Sequence, residues 1–177
     1  MMPLAFLTGF IIIQRLSELA VSRRNYRWAL QQGGREYGAD HYWLFVVLHT
    51  LWIVAFNLEW LLQKPTIPKI WPFLLVLILM AQVIRYWTII TLGRRWNTRI
   101  MVIKALPLVK SGPYRFFKHP NYLAVILEIA AIPAFIGAWY TAIIFSIVNG
   151  VLLFFIRIPA EERALKEIAE YHDNSAA

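Results

Sequence analysis

Five mostly apolar stretches, each 17 to 22 residues long, divide this chain of 177 residues. They run Pro3–Ser22, His41–Leu62, Trp71–Leu92, Pro120–Ile136 and Trp139–Arg157. As helices rising about 1.5 Å per residue, they reach across a hydrocarbon core of roughly 30 Å. A chain in lipid must satisfy its backbone polar groups within each segment, which leaves helices or a closed barrel. The spans predict an all-α integral membrane protein of five transmembrane helices, a single domain over residues 1–177. At 59% hydrophobic the chain is more apolar than a soluble domain. The first span has no preceding basic residue and no small-residue cleavage site, so it reads as retained.

The net charge of +8 sits in short loops between the spans. That placement fits lipid headgroups and topology control and argues against nucleic acid as a partner. Loops after spans one and three, together with the segment from Arg157 onward, hold fourteen Lys and Arg, against two (Lys64 and Lys69) on the other side. The expected arrangement is an external N-terminus and a cytoplasmic C-terminus, in a bacterial cytoplasmic membrane. The absence of cysteine excludes disulfides and thiolate chemistry. Four scattered histidines give no metal-ligand spacing.

The connections carry their own expectations. Arg23–Asp40 is a basic loop with a short interfacial helix over Asn25–Gln32. Gln63–Lys69 is a proline-broken turn. Gly93–His119 is a long basic loop, in which Arg99–Val109 forms a small hairpin or lies on the surface. Pro133 bends or ends the fourth span, and Gly137-Ala138 reverses the chain. Pro159–Tyr171 is a polar helix.

Polar residues recur at one depth inside the spans. Arg15, His49, Arg85, Glu128 and Asn149 lie roughly 10–12 Å below the cytoplasmic surface, and Glu18 somewhat shallower. Intramembrane charges face the bundle interior, paired or lining a cavity. Two readings stay open together: one polar pocket opening to the cytoplasm, and pairwise satisfaction of Arg15 with Glu18 and of Arg85 with Glu128. His49 taken alone reads as a packed histidine.

The stretch Val109–Tyr122 is the densest in chemistry. Gly112-Pro113 signals a turn. Pro120 disfavours helix at His119, so a helix starts at Pro120 with His119 just before it. Such a helix start carries unpaired N–H groups and partial positive charge, suited to a carboxylate. Its plain alternative is a basic surface loop. No Gly-x-Gly-x-x-Gly, Walker loop or Gly-x-Ser-x-Gly occurs, so no Rossmann domain is expected. Arg157 and Glu161, four apart, share a face if the helix continues through Pro159.

Gly112-Pro113-Tyr114-Arg115-Phe116-Phe117-Lys118-His119-Pro120-Asn121-Tyr122, then an apolar hairpin, then Arg157-x-x-x-Glu161-Glu162, resembles the isoprenylcysteine carboxyl methyltransferases. The likeness covers about residues 97–171. The N-terminal half is similar to a short bacterial branch that includes O-methyltransferases of long-chain alkylpyrones and alkylresorcinols. The resemblance implies a membrane methyltransferase using S-adenosyl-L-methionine, with S-adenosylhomocysteine as product, on a lipophilic or prenylated acceptor. It implies cofactor contacts from Leu106, Pro107, Leu108, Val109, Tyr114, His119, Pro120, Asn121, Tyr122 and Glu161. Arg157 resembles the arginine that orients the acceptor's carboxylate. Lys118 departs from the usual arginine before His-Pro, and Leu106 stands where some members have histidine. Rival functions are a non-catalytic lipid-binding protein of the same fold and a small transporter.

Overall fold

A computed structural model describes the backbone of residues 2–175 and the side chains of residues 4–168. The terminal residues Met1, Ala176 and Ala177 lie outside the described residues, as do the side chains of Glu170 and Tyr171. The protein is mostly helical and holds no Rossmann unit among the described residues.

Helix α1 spans Met2–Gln31 without interruption. The separate interfacial helix expected over Asn25–Gln32 is therefore its continuation. No Gly or Pro interrupts Ser22–Leu30, and Ser22, Asn25 and Ala29 form a buried stripe at helical spacing. At about 45 Å, α1 outruns the hydrocarbon core. Its extension holds the chain after α3: Asn25 Nδ2 donates to the carbonyls of Gly93 at 3.1 Å and Trp96 at 2.7 Å.

Strand β1, Arg35–Tyr37, follows α1 and pairs antiparallel with β2, Ile100–Val102, with Glu36 opposite Met101. The local hairpin expected in Arg99–Val109 is not formed, because the partner of Ile100–Val102 comes from the first loop. The pairing is stabilised from the side: Ile100 and Val102 bury against Ala160, Ala164 and Ile168, and Arg99 Nη1 meets Glu36 Oε1 at 2.6 Å.

Helices α2, Tyr42–Gln63, and α3, Trp71–Leu92, precede the short α4, Pro120–Phe135. Then come α5, Trp139–Leu152, a π-helical turn over Leu153–Arg157, and α6, Ile158–Ser175. Among the described residues, four segments are long and apolar enough to cross a membrane: Leu4–Gln31, Ala39–Gln63, Trp71–Arg95 and Trp139–Ile168. Helix α4, with 16 residues, falls short of that length. It is instead the inner helix. Nine of its residues are buried, whereas Phe73, Val83 and Ile90 of α3 are widely exposed. Val125, Ile129 and Ile132 of α4 pack with Leu4, Ile11, Leu48, Trp52 and Phe56 in the main core.

The α4 ending follows from two residues. Pro133 lies in the last turn, where it ends the helix. Gly137 then adopts φ of 84°, and a Cβ there would meet Pro65 Cβ at 2.9 Å. Glu59 of α2 accepts the N–H groups of Tyr140 at 3.0 Å and Thr141 at 2.7 Å, satisfying donors at the start of α5. At the opposite end of α5 the π turn keeps the helix running through Pro159. A proline clashes with the carbonyl four residues back in a regular α-helix, and a wider turn relieves that contact.

Candidate active site

Two arginines, two glutamates and two glutamines form a closed polar ring at mid-depth. Arg15 pairs with Glu18 at 2.7 Å and also with Glu128. Arg85 reaches Glu18 at 3.4 Å, and its Nε donates to Glu128 Oε1 at 2.8 Å. Gln14 donates to Glu18 and Gln82, and Gln82 donates to Glu128 at 2.9 Å. The two isolated pairs expected from sequence are thus one network across α1, α3 and α4. Opposite charges balance within it, which is the condition for keeping four ionic groups inside an apolar bundle.

Above the ring lies one cavity of about 760 Å³. Arg15, Glu18, His49 and Arg85 line it from the spans, while Glu128 and Asn149 do not. Asn149 is buried elsewhere in the bundle. Leu106, Pro107, Leu108, Val109, Tyr114, His119, Asn121, Tyr122, Arg157 and Glu161 line the cavity from the loops and helix ends. Only Pro120 of the expected residues stays off its wall. Pro120 is buried at the first position of α4, where its fixed φ starts the helix.

Local sequence explains this convergence. Gly112 has φ of 59°, and a Cβ there would lie 2.3 Å from Thr91 Oγ1. The Gly112–Arg115 3-10 turn therefore sits directly on α3 and carries Tyr114 into the cavity. His119 caps α4 with φ of −130° and ψ of 66°, the non-helical geometry required before proline. Its imidazole stacks on Tyr122, with centroids 5.5 Å apart.

The α6 carboxylates meet these residues from the other side. Tyr122 Oη donates to Glu161. His119 Nδ1 lies 3.8 Å from Glu161 and its Nε2 3.3 Å from Glu162. Glu161 first, and then Glu162, raise the His119 pKa above its ordinary value, against partial burial. Burial, followed by the Glu161 charge, pushes the Tyr114 hydroxyl above its usual value, so it stays protonated near neutral pH. Glu162 also pairs with Lys118 at 2.5 Å on an exposed edge.

Arg157 is 6% exposed, so its guanidinium is held inside the protein. Its Nε donates to Tyr122 Oη at 3.2 Å and its Nη2 to the Thr98 carbonyl at 2.6 Å. Its guanidinium lies over the Phe45 ring at 5.4 Å. Among the described residues, Arg157 Nη1, His119 Nδ1 and Asn121 Oδ1 are buried polar atoms with no hydrogen-bond partner. Such atoms are costly unless something else pairs with them. Thr98 and Phe45 were not singled out from sequence: one acts through its backbone and the other through a ring face, and neither leaves a motif.

A family model described as isoprenylcysteine carboxyl methyltransferase (ICMT) family matches residues 74–167. The chain belongs to that family. Membership makes it a membrane methyltransferase in general terms. An uncharacterized Bacillus subtilis protein, YpbQ, is 42% identical over 91% of this chain and 95% of its own length. An uncharacterized Haemophilus influenzae protein is 24% identical over 89% of this chain and 92% of its own. No solved structure matches the chain.

Proposed function

We propose that the protein is an integral-membrane, S-adenosylmethionine-dependent O-methyltransferase acting on a carboxylate or acidic hydroxyl of a lipophilic acceptor. One observation carries this reading. The motif residues from the loop, the α4 start, the π turn and the α6 start line one cavity, and three of them, His119, Asn121 and Arg157, hold buried polar atoms without a hydrogen-bond partner among the described residues. A zwitterionic cofactor suits that donor set. Glu161 and Glu162 offer charge to an ammonium, while the α4 N-terminus offers its dipole to a carboxylate. When bound, the cofactor supplies an activated methyl group on sulfur.

The remaining work falls to the chain itself. Tyr114 and the Leu106–Val109 segment wall the site against water. Tyr122 ties Glu161 to Arg157 and so fixes where each points. Arg157, with one face on Phe45 and Nη1 free of protein partners, is placed to hold an acceptor oxygen in line for displacement. An ionised acceptor needs no general base, which fits an arginine at this position. The burial of α4 among neighbouring helices supports counting it as a fifth crossing despite its length. The termini then lie on opposite sides, with the C-terminus cytoplasmic by the loop charges.

The test is a radiolabelled-methyl assay on purified protein in bilayer discs, with total lipid extract and prenylcysteine analogues offered side by side. Label in an organic-soluble product supports the reading. No label, together with no thermal stabilisation by S-adenosylhomocysteine, overturns it.

A further inference from the structure

Arg157 Nη2 donates to the Thr98 carbonyl at 2.6 Å, and that carbonyl has no regular element to hold it. Residues 96–99 lie in neither helix nor strand, between α3 and β2. Side chains set the direction of this backbone instead, and they lead back to Ser22 on the extension of α1. Ser22 Oγ donates to Asn97 Oδ1 at 2.8 Å, accepts the Thr98 N–H at 3.1 Å and lies 2.8 Å from Thr98 Oγ1.

The proton count orders these contacts. A hydroxyl has one proton, and Ser22 spends its own on Asn97. Thr98 Oγ1 therefore donates to Ser22, and Tyr42 Oη, 3.2 Å away, donates to Thr98 Oγ1. The chain runs one way, from Tyr42 through Thr98 and Ser22 to Asn97. Asn97 Oδ1 also accepts the Arg99 N–H at 3.0 Å. That N–H and the Thr98 carbonyl belong to one planar peptide unit and point to opposite sides of it. Holding the N–H on Asn97 thus aims the carbonyl away from Asn97, toward Arg157.

Ser22 itself is 4% exposed and is not among the residues that line the cavity. Its hydroxyl reaches the site only through residues 97 and 98. Asn25, almost one turn further along the same buried stripe, holds the Gly93 and Trp96 carbonyls. The segment therefore stays attached to α1 when Ser22 alone is changed.

We propose that Ser22 is a positioning residue for methyl transfer: it fixes the Thr98 carbonyl and, through that carbonyl, the orientation of the Arg157 guanidinium. This rests on the methyltransferase reading, in which Arg157 holds the acceptor oxygen in line. Without the Ser22 hydroxyl, Thr98 N–H and Oγ1 lose a partner and Asn97 loses its tether. The Thr98–Arg99 peptide is then free to turn, and Nη2 loses its fixed anchor.

Two readouts test this, one independent of turnover. Arginine labelled with nitrogen-15 is incorporated into protein in bilayer discs, and the Arg157 Nε–H signal is assigned by its absence from Arg157→Lys. In Ser22→Ala that N–H should exchange with solvent roughly fivefold faster or more, because the guanidinium is no longer held at Nη2. Ser22→Cys, close in size but a poor hydrogen-bonding group, gives the same reading if the alanine variant does not fold. Exchange within twofold of wild type overturns the proposal whatever the turnover. The second readout is a double-mutant cycle in single-turnover methyl transfer, with S-farnesylcysteine or total lipid extract as acceptor. Ser22→Ala should slow transfer roughly fivefold or more in wild type and less than twofold in Arg157→Lys, with S-adenosylhomocysteine affinity within twofold throughout. Equal proportional losses in both backgrounds would make Ser22 merely structural and overturn its action through Arg157. Wild type that transfers no label and is not stabilised by S-adenosylhomocysteine counts against the methyltransferase reading, while the exchange measurement still decides whether Ser22 orients Arg157.

Discussion

The Tyr122 hydroxyl accepts from Arg157 Nε and donates to Glu161, joining the α4 start to the end of the π turn and the start of α6. The side chain proposed for the acceptor and a side chain proposed for the cofactor are thus one hydrogen-bonded chain. Removing Tyr122 Oη should loosen both. Tyr122→Phe is expected to lower kcat/KM by roughly tenfold, with a smaller loss of cofactor affinity, because Glu161 itself remains. Steady-state kinetics alongside calorimetric titration of S-adenosylhomocysteine checks the split. Unchanged kinetics would deny the hydroxyl any part in alignment.

The two α6 glutamates are expected to differ. His119→Ala and Glu161→Ala should each weaken S-adenosylmethionine binding at least tenfold, about 1.4 kcal/mol. Glu162→Ala should do less. Its partners are Lys118, which is mostly exposed, and His119, and exposed pairs contribute about 0–1 kcal/mol. Equal losses from both glutamates, read by titration, would contradict the assignment.

The raised His119 pKa sets a direction for pH. A histidine whose folded pKa lies above its unfolded value stabilises the fold fully below the unfolded value, near 6.5, and loses that contribution as pH rises through the folded one. Thermal stability of the wild type should therefore fall as pH climbs from about 6.5. His119→Gln should flatten that segment of the profile. A parallel slope in the variant would place the titration elsewhere.

The polar ring gives the largest expected stability effect. Glu128→Gln leaves Arg15 and Arg85 short of a counter-charge in the bundle and should cost about 3–5 kcal/mol. Arg85→Met paired with Glu128→Met removes both charges and should recover part of the loss, leaving Arg15 with Glu18. Denaturation in mixed micelles measures both. A silent Glu128→Gln would mean that water already screens the ring.

Legibility of these features followed the range of the forces behind them. The apolar spans, the His119–Pro120 helix start and the Gly112 turn are written in local propensity, so the sequence exposes them. The ring was half visible: Arg15, Glu18, Arg85 and Glu128 share a depth, but depth does not tell which faces meet. Gln14 and Gln82 complete the ring as neutral residues and gave no warning. The β1–β2 pairing was hidden because each strand is three residues long and its partner lies more than sixty positions away. The run of α1 through Gln31 was masked by its arginines, which mimic a loop. The motif residues of the loop, the α4 start, the π turn and α6 line one cavity, and Pro120 lies behind its wall.

The last prediction concerns Arg157. Its Nε and Nη2 are committed to Tyr122 and the Thr98 carbonyl, and its plane lies over Phe45, so three contacts fix the guanidinium while Nη1 stays free. Lysine keeps the charge but has no planar fork: it cannot serve Tyr122, Thr98 and an acceptor oxygen with the same fixed geometry, nor stack as a plane on Phe45. A displacement reaction falls steeply with misalignment, and about 1 Å can cost a hundredfold. Arg157→Lys should therefore lower kcat by roughly tenfold or more, with S-adenosylhomocysteine affinity nearly unchanged because Glu161 and the α4 start are untouched. Single-turnover methyl transfer with preloaded cofactor isolates the step. Full turnover in Arg157→Lys, or a loss traced wholly to cofactor binding, would show that Arg157 does not orient the acceptor.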